Sequence, residues 1–338
     1  MPMPIPEPRG PVSAALVAVL TGADEPAVVN TVARGYRAEP AGDVLTDDDA
    51  QLALTLLYEL HLHGVDGADD GLEWAPELIA ARAELEAPFE AAVRDLVRPR
   101  VEKVDSSDVV SALWEMTAPT AGPGLSGFMA AEATESQFRE LLIHRSLNQL
   151  READVHTLGI PRLAGHPKAA LVEVQADEYG GGRLERMHSQ LFATTMRELG
   201  LSDAYAHYLD DVPAVTLASL NVLSLFGLHR RLRAALAGHL CAVETTSALP
   251  SKKYAAGLRR LGFGVAATRF FDEHVEADSV HEQIVVRDLA GGLVEQRPDC
   301  VGDVLLGAAA CLAFDDLVGD HMADAWGRGA SSLRVRGD

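Results

Sequence analysis

The stretch FFDEHVEADSVHEQI, residues 270–284, places His274, Asp278 and His281 at i, i+4 and i+7. On an α-helix the second side chain stands ~40° to one side of the first and the third ~20° to the other, so all three share a narrow stripe. Two imidazoles and a carboxylate on one stripe form a metal-ligand face. Taken alone, the spacing also suits a zinc site, or an accident on an amphipathic helix. His274 and His281 stand ~10 Å apart along the helix axis, which assigns them to different metals with Asp278 between them.

A second face lies in EVQADEYGGGRLERMH, where Glu178, Glu185 and His188 fall at i, i+7 and i+10. Glu185 and His188 make the Glu-x-x-His pair used by carboxylate-bridged di-iron bundles. Gly180, Gly181 and Gly182 interrupt the segment, and each glycine costs about 1 kcal/mol inside a helix, so Glu178 is the weaker of the two carboxylates. A third face is marked by Glu244, which follows Leu240, Ala242 and Val243. An ionised carboxylate in such surroundings must be paired, coordinated or neutral.

Three imidazoles and four carboxylates on three helices exceed what one tetrahedral zinc takes and suit two metals sharing bridging carboxylates. Nitrogen and hard oxygen donors without thiolate fit iron or manganese. Of the three cysteines, Cys241, Cys300 and Cys311, none forms a CxxC pair, so neither a disulfide framework nor a thiolate zinc site fits.

The elements that must position these residues read as helices. Apolar spacing predicts helix from Val12 to about Gly35, an N-capped helix after Thr46 that stops near Gly64, and a region over 71–97 interrupted around Pro76 and Pro88. Residues 1–12 are Pro-rich and read as loose. TAPTAGPGLSG, 117–127, is the clearest loop. Further helices are expected over 131–153, 201–210, 213–227, 228–247, 251–262, 264–287 and 299–326, the last with a small-residue run, VGDVLLGAAACLAF, suited to close packing. EQIVVRDL and GGLVEQRP hint at a single β-hairpin around Gly291 and Gly292. The fold class is all-α.

Composition narrows the function. With 29 basic against 50 acidic residues the net charge is −21, which argues against nucleic acid or an anionic membrane as partner. The N-terminus lacks a signal-peptide pattern, and no apolar run of about 18 residues occurs. A cytosolic protein is expected. Glu152 and Asp154, in READVH, read first as capping residues, with a place in the cavity wall or just behind the metal ligands as the alternative. His61 and His63 read as surface or helix-end residues. His144, His156, His207, His229, His239 and His321 read as satisfied or exposed histidines, and Arg259 and Arg260 as solvated helix charge. GFGVAA, from Gly262, has no strand before it, so a dinucleotide site is rejected.

The segments EADVHTLGIPRL, EVQADEYGGGRLERMH, GHLCAVETTSALPSKKYAAGLRRLG and FFDEHVEADSVHEQ, taken in order, resemble the iron-containing redox enzyme family, also called heme-oxygenase-like di-iron oxidases. The resemblance covers roughly 130–325. It implies a heme-oxygenase-like helical bundle whose first core helix gives Glu178 and/or Glu185 with His188, the second Glu244, and the third His274, Asp278 and His281. It implies two Fe(II) per chain with O2 as co-substrate, no catalytic group beyond the metal centre, a small-molecule substrate, and room for an external electron donor. Members hydroxylate substrate nitrogen or cleave a C–C bond. N-hydroxylation of a small amine or amino-acid-derived substrate is favoured, with oxidative C–C cleavage or decarboxylation as the alternative and a non-catalytic helical metal-binding protein as the reading from another class. The chain is divided as 1–125, accessory helices implied to support a homodimer; 126–330, the di-iron domain, without a C-terminal cupin; and 331–338, a tail.

Overall fold

The computed structural model describes residues 2–335 except 41, 120, 121 and 123, and for residues 276–280 it describes the backbone alone. The order is α1 (Pro11–Leu20), α2 (Pro26–Ala38), α3 (Asp48–Glu59), α4 (Pro76–Val101), α5 (Val109–Met116), α6 (Gly124–Ala131), α7 (Glu135–Gln149), α8 (Asp154–Thr157), α9 (Gly165–Glu178), α10 (His188–Glu198), α11 (Ala214–Leu228), α12 (Arg233–Thr246), α13 (Ala248–Arg260), α14 (Val265–Gln283), α15 (Gly292–Gln296) and α16 (Val301–Gly327). Among the described residues there is no strand, only a parallel bridge between Met3 and Val65. None of the described helices is long and apolar enough to cross a membrane.

Four sequence expectations need correction. The segment read as a hairpin is a π-helix, Ile284–Gly291, running straight into α15. Val285, Val286, Leu289, Ala290 and Leu293 are buried along one side of it, and that helical spacing outweighs the β-preference of single valines. The first residues are not loose: Met3 is fully buried, and its backbone bonds Gly64 and Asp66 at 2.9 and 2.8 Å. Pro88 does not interrupt its helix, for α4 continues through it with Leu85, Phe89 and Val93 buried on either side. The segment 201–210 is not a helix. It runs as turns with Ala206 at φ 55°, followed by a single 3-10 turn at Leu209–Asp211.

Among the described residues three apolar clusters hold the helices. The largest joins α1 to α4 with α11 and part of α16. A second gathers α5, α9, α12, the π-helix and α16, and a third gathers α6, α7, α10, α13 and α14. The predicted metal-ligand residues lie where elements of the second and third clusters meet. Helices α12 and α16 cross with backbones nearly touching: a Cβ on Gly238 would lie 1.9 Å from the Val304 carbonyl oxygen, and one on Gly307 1.8 Å from that of Ala235. Only glycine fits at that crossing, which seats α12 and with it Glu244.

The chain after α7 is held from the N-terminal side. Glu59, on α3, and Arg151 form an ion pair at 3.0 Å with both side chains 1% exposed. His63 bridges Glu59 and Asp154, 3.1 Å from each, and the Tyr179 hydroxyl donates to Asp154 at 2.7 Å. Ala153, at φ 78°, turns the chain, and its carbonyl accepts from Gln175 at 2.9 Å. Glu152 is thereby fixed between two anchored neighbours, Arg151 and Asp154. Neither acid takes the capping role read first from the sequence, since α8 begins after Ala153 with no side-chain cap.

Removing one partner of a buried ion pair leaves an uncompensated charge, so Arg151→Met should cost about 3–5 kcal/mol in urea unfolding. The hydrogen bonds of Asp154, then of Glu59, raise the His63 pKa to about 9 against the pull of burial. A raised folded-state value means that the stabilisation from charged His63 is complete below the unfolded value of about 6.5 and is lost as pH climbs through about 9. The stability difference between the native protein and His63→Gln should therefore be largest near pH 6 and should disappear above about pH 9.5.

Candidate metal centre

Helix α9 ends on Glu178, and the chain leaves it through Gly180, Gly181 and Gly182, at φ +64°, +60° and +76°. Such a left-handed run is open to glycine and strained for other residues. A Cβ on Gly180 would also lie 2.6 Å from the Arg186 backbone. After a 3-10 turn at Leu184–Arg186, α10 starts at His188. The chain thus doubles back on the end of α9 and brings buried His188 Nδ1 to 2.9 Å from Glu178 Oε2.

This reverses the sequence ranking of the two carboxylates. Glu185 is exposed on the 3-10 turn, because the Glu-x-x-His relation needs a continuous helix and the extended Met187 breaks it between the two residues. Glu178 is buried.

Helix α14 supplies His274 and His281, both buried. His274 Nδ1 lies 2.8 Å from the Phe270 carbonyl; a carbonyl only accepts, so Nδ1 carries a proton and Nε2 is the nitrogen turned toward the carboxylates. The His274 ring lies 4.5 Å from that of His188, and its Nε2 is 3.6 Å from Glu152 Oε1. Seven residues on, His281 Nδ1 faces buried Glu244 at 3.1 Å while Nε2 faces Asp177 at 3.0 Å. The Asp278 side chain lies outside the described residues.

Among the described residues two groups of ligand atoms result, the atoms of each within 4.8 Å of one another: Glu152, Glu178, His188 and His274 in one, Glu178, Glu244 and His281 in the other. Glu178 belongs to both. Sequence reasoning placed Glu152 in the cavity wall, which it does line, or just behind the ligands, and not among them. It lies beyond the end of α7 and outside any helical stripe, and the only local sign was its place between Arg151 and Asp154. Asp154 is taken up by Tyr179 and His63 and is in neither group.

The electrostatics are those of a cation site. Burial works to raise Glu178, yet His188, His274 and His281 hold it below the usual range. Burial likewise works to lower His188 and His281, but Glu178 raises the first, and Glu244 with Asp177 raises the second to about 9. The carboxylates therefore call for positive charge, and a metal ion would replace the imidazole protons that meet this demand. Two buried atoms of the first group lack a hydrogen bond, His188 Nδ1 and Glu152 Oε2; Glu178 is near the former but off the N–H direction. A ring nitrogen and a carboxylate oxygen left without hydrogen bonds in one group fit a metal better than a purely structural network. No cysteine belongs to either group, and nitrogen with carboxylate oxygen suits iron or manganese.

A cavity of about 240 Å³ opens onto the cluster from one side, where Glu152, Glu178, Glu244 and His274 line it. His188 and His281 lie behind. Its wall is largely apolar, with Leu240, Val243, Phe270 and Phe271 among the residues nearest these ligands in sequence, and it includes the pair His156 Nε2 and His239 Nδ1, 3.2 Å apart. Burial pushes His239 down to about 4, and burial with the nearby His239 pushes His156 well below its usual value. Both rings are neutral, the satisfied state read from the sequence, and they face the cavity.

The family model described as iron-containing redox enzyme matches residues 139–316, a span that contains every residue of both ligand groups. No curated protein matches the chain.

Ligand exchange tests the geometry. After anaerobic loading with Fe(II) and dialysis, metal analysis should find Glu185→Ala equal to the native protein. Glu178→Ala, which removes the residue common to both groups, should bind at least about 10-fold more weakly. Glu152→Ala should lose about half the metal content lost by Glu178→Ala, an expectation that follows from its membership of one group.

Proposed function

Because the chain belongs to the iron-containing redox enzyme family, we propose that it is a non-heme di-iron oxygenase or oxidase that uses O2 to oxidise a small amine or amino-acid-derived molecule, N-hydroxylation being the favoured outcome. The observation that carries this reading is the pair of buried ligand groups sharing Glu178 at the end of a cavity. Glu152, His188 and His274 would complete one iron with Glu178, and Glu244 and His281 the other. Bound there, ferrous ions would supply electrons and open positions for O2.

The remaining work belongs to the chain. The apolar wall keeps bulk water from the reacting end of the cavity, which strengthens every electrostatic contact inside it. His274 is aimed by the Phe270 carbonyl and Glu152 by its anchored neighbours, so neither pays to reorganise when substrate enters. In the neutral imidazole pair one ring donates to the other, leaving His156 Nδ1 and His239 Nε2 as one donor and one acceptor. An amine N–H has an acceptor there without meeting a positive charge, which supports nitrogen as the position oxidised.

The reading is tested by anaerobic iron titration and product analysis. Loading should approach two Fe(II) per chain, and addition of labelled O2 with candidate amines and amino acids should give a product carrying one labelled oxygen on nitrogen by mass spectrometry. A product shortened by a C–C cleavage would keep the di-iron centre and replace the reaction. Iron occupancy near zero, with stability untouched by His188→Ala, would leave neither.

A further inference from the structure

Two arginines line the cavity among the described residues, and they stand in different states. Arg151 is 1% exposed and held by Glu59 at 3.0 Å and Ser224 at 3.3 Å. Its charge is met by a buried carboxylate. Arg145, on α7, is half-buried, and its guanidinium carbon stands 5.5 Å from the centroid of the buried Tyr254 ring. Its ion pair is a long one, 3.3 Å to Asp315, whose side chain is 71% exposed. Asp315 also lines the cavity, so the cavity reaches solvent beside this pair.

A half-solvated ion pair of that length adds little, because water competes for both charges. An aromatic face behind a guanidinium fixes its plane and leaves its N–H fork for a planar, two-oxygen anion. Against the pull of burial, Tyr254, which also shares a side-chain hydrogen bond with the guanidinium, and then Asp315 and Glu152 keep Arg145 charged.

We propose that Arg145, backed by Tyr254, binds the carboxylate of a small-molecule acid whose other end extends through the apolar cavity toward Glu152, Glu178 and His274. Asp315 turns to solvent as the acid enters. The substrate is thus a carboxylic acid oxidised at a position remote from its carboxylate. The proposal rests on the reading of this cavity as the substrate site, and it names the group that sets direction within it. Arg145 acts on the bound acid by charge and orientation and takes no part in bond making.

The test is calorimetric titration of the full-length, metal-free protein with three probes of one chain length: hexanoate, hexanamide and norleucine. Hexanoate or norleucine should bind at least about 10-fold more tightly than hexanamide, the difference expected for charge-assisted hydrogen bonds. Tighter norleucine identifies an amino acid as the source of the carboxylate, and tighter hexanoate a simple acid. In Arg145→Gln the preference over the amide should collapse to about twofold or less. Asp315→Asn, an exposed change that folding tolerates, should tighten hexanoate about two- to fivefold by removing the competing anion. Equal affinity for acid and amide, no binding of either acid, or an undiminished preference in Arg145→Gln overturns the proposal. If Arg145→Gln does not fold, unchanged or weaker hexanoate binding in Asp315→Asn overturns it. Iron loading is read separately on the same proteins: two Fe(II) per chain without acid binding removes this proposal alone, and acid binding without iron removes the di-iron reading alone.

Discussion

Everything in the centre of this protein follows from the burial of carboxylates. Glu178 and Glu244 sit in the interior, where an ionised acid is stable only beside positive charge. The fold answers by delivering three imidazoles from two helices to the same place, His188 from α10 and His274 and His281 from α14. The clustering is therefore more than proximity. Each acid lowers the cost of charging a neighbouring ring, each charged ring keeps an acid ionised, and the set as a whole is matched to a cation.

The scaffold around the cluster is built to keep these groups from moving apart. Gly238 and Gly307 let α12 and α16 meet backbone to backbone, so the helix bearing Glu244 has no room to slide. From the other side, the Glu59–Arg151 pair carries the N-terminal helices into contact with the chain segment that holds Glu152. Its buried charges contribute position more than net stability, since their attraction largely offsets the cost of removing both from water.

Much of this was legible in the residues, and the part that was not has definite causes. His274 and His281 could be found because a helix keeps i and i+7 on one side, and Glu244 because a lone acid among apolar neighbours demands a partner. Glu185 misled because the Glu-x-x-His rule assumes an unbroken helix, while the chain reverses through three glycines and is extended at Met187 just before His188, a path that no spacing rule reports. Glu152 was under-read for the opposite reason. It owes its place to the left-handed Ala153 and to the ion pair of its neighbour Arg151 with Glu59, 92 positions away, neither of which leaves a period in the sequence. The all-helical architecture was read correctly, but valines beside two glycines looked like a hairpin until the burial of Val285, Val286, Leu289, Ala290 and Leu293 showed their helical order.

That stretch has a geometric role. From His281 the buried positions advance by fours, through Val285 and Leu289 to Leu293, and on an α-helix each such step drifts about 40° around the axis. The wider turn of the π-helix, with its i→i+5 bonds, takes up the drift, and Cys241 secures it by donating to the Val285 carbonyl at 3.0 Å. Helix α14 and α15 thus form one rod whose two halves are kept in phase by the turn between them. Exchange of one apolar side chain for another leaves that phase alone. Wound as an ordinary α-helix, the same three steps would carry the ligand half about 120° against its anchor, so the winding of this segment, more than its composition, is what the metal-ligand face depends on.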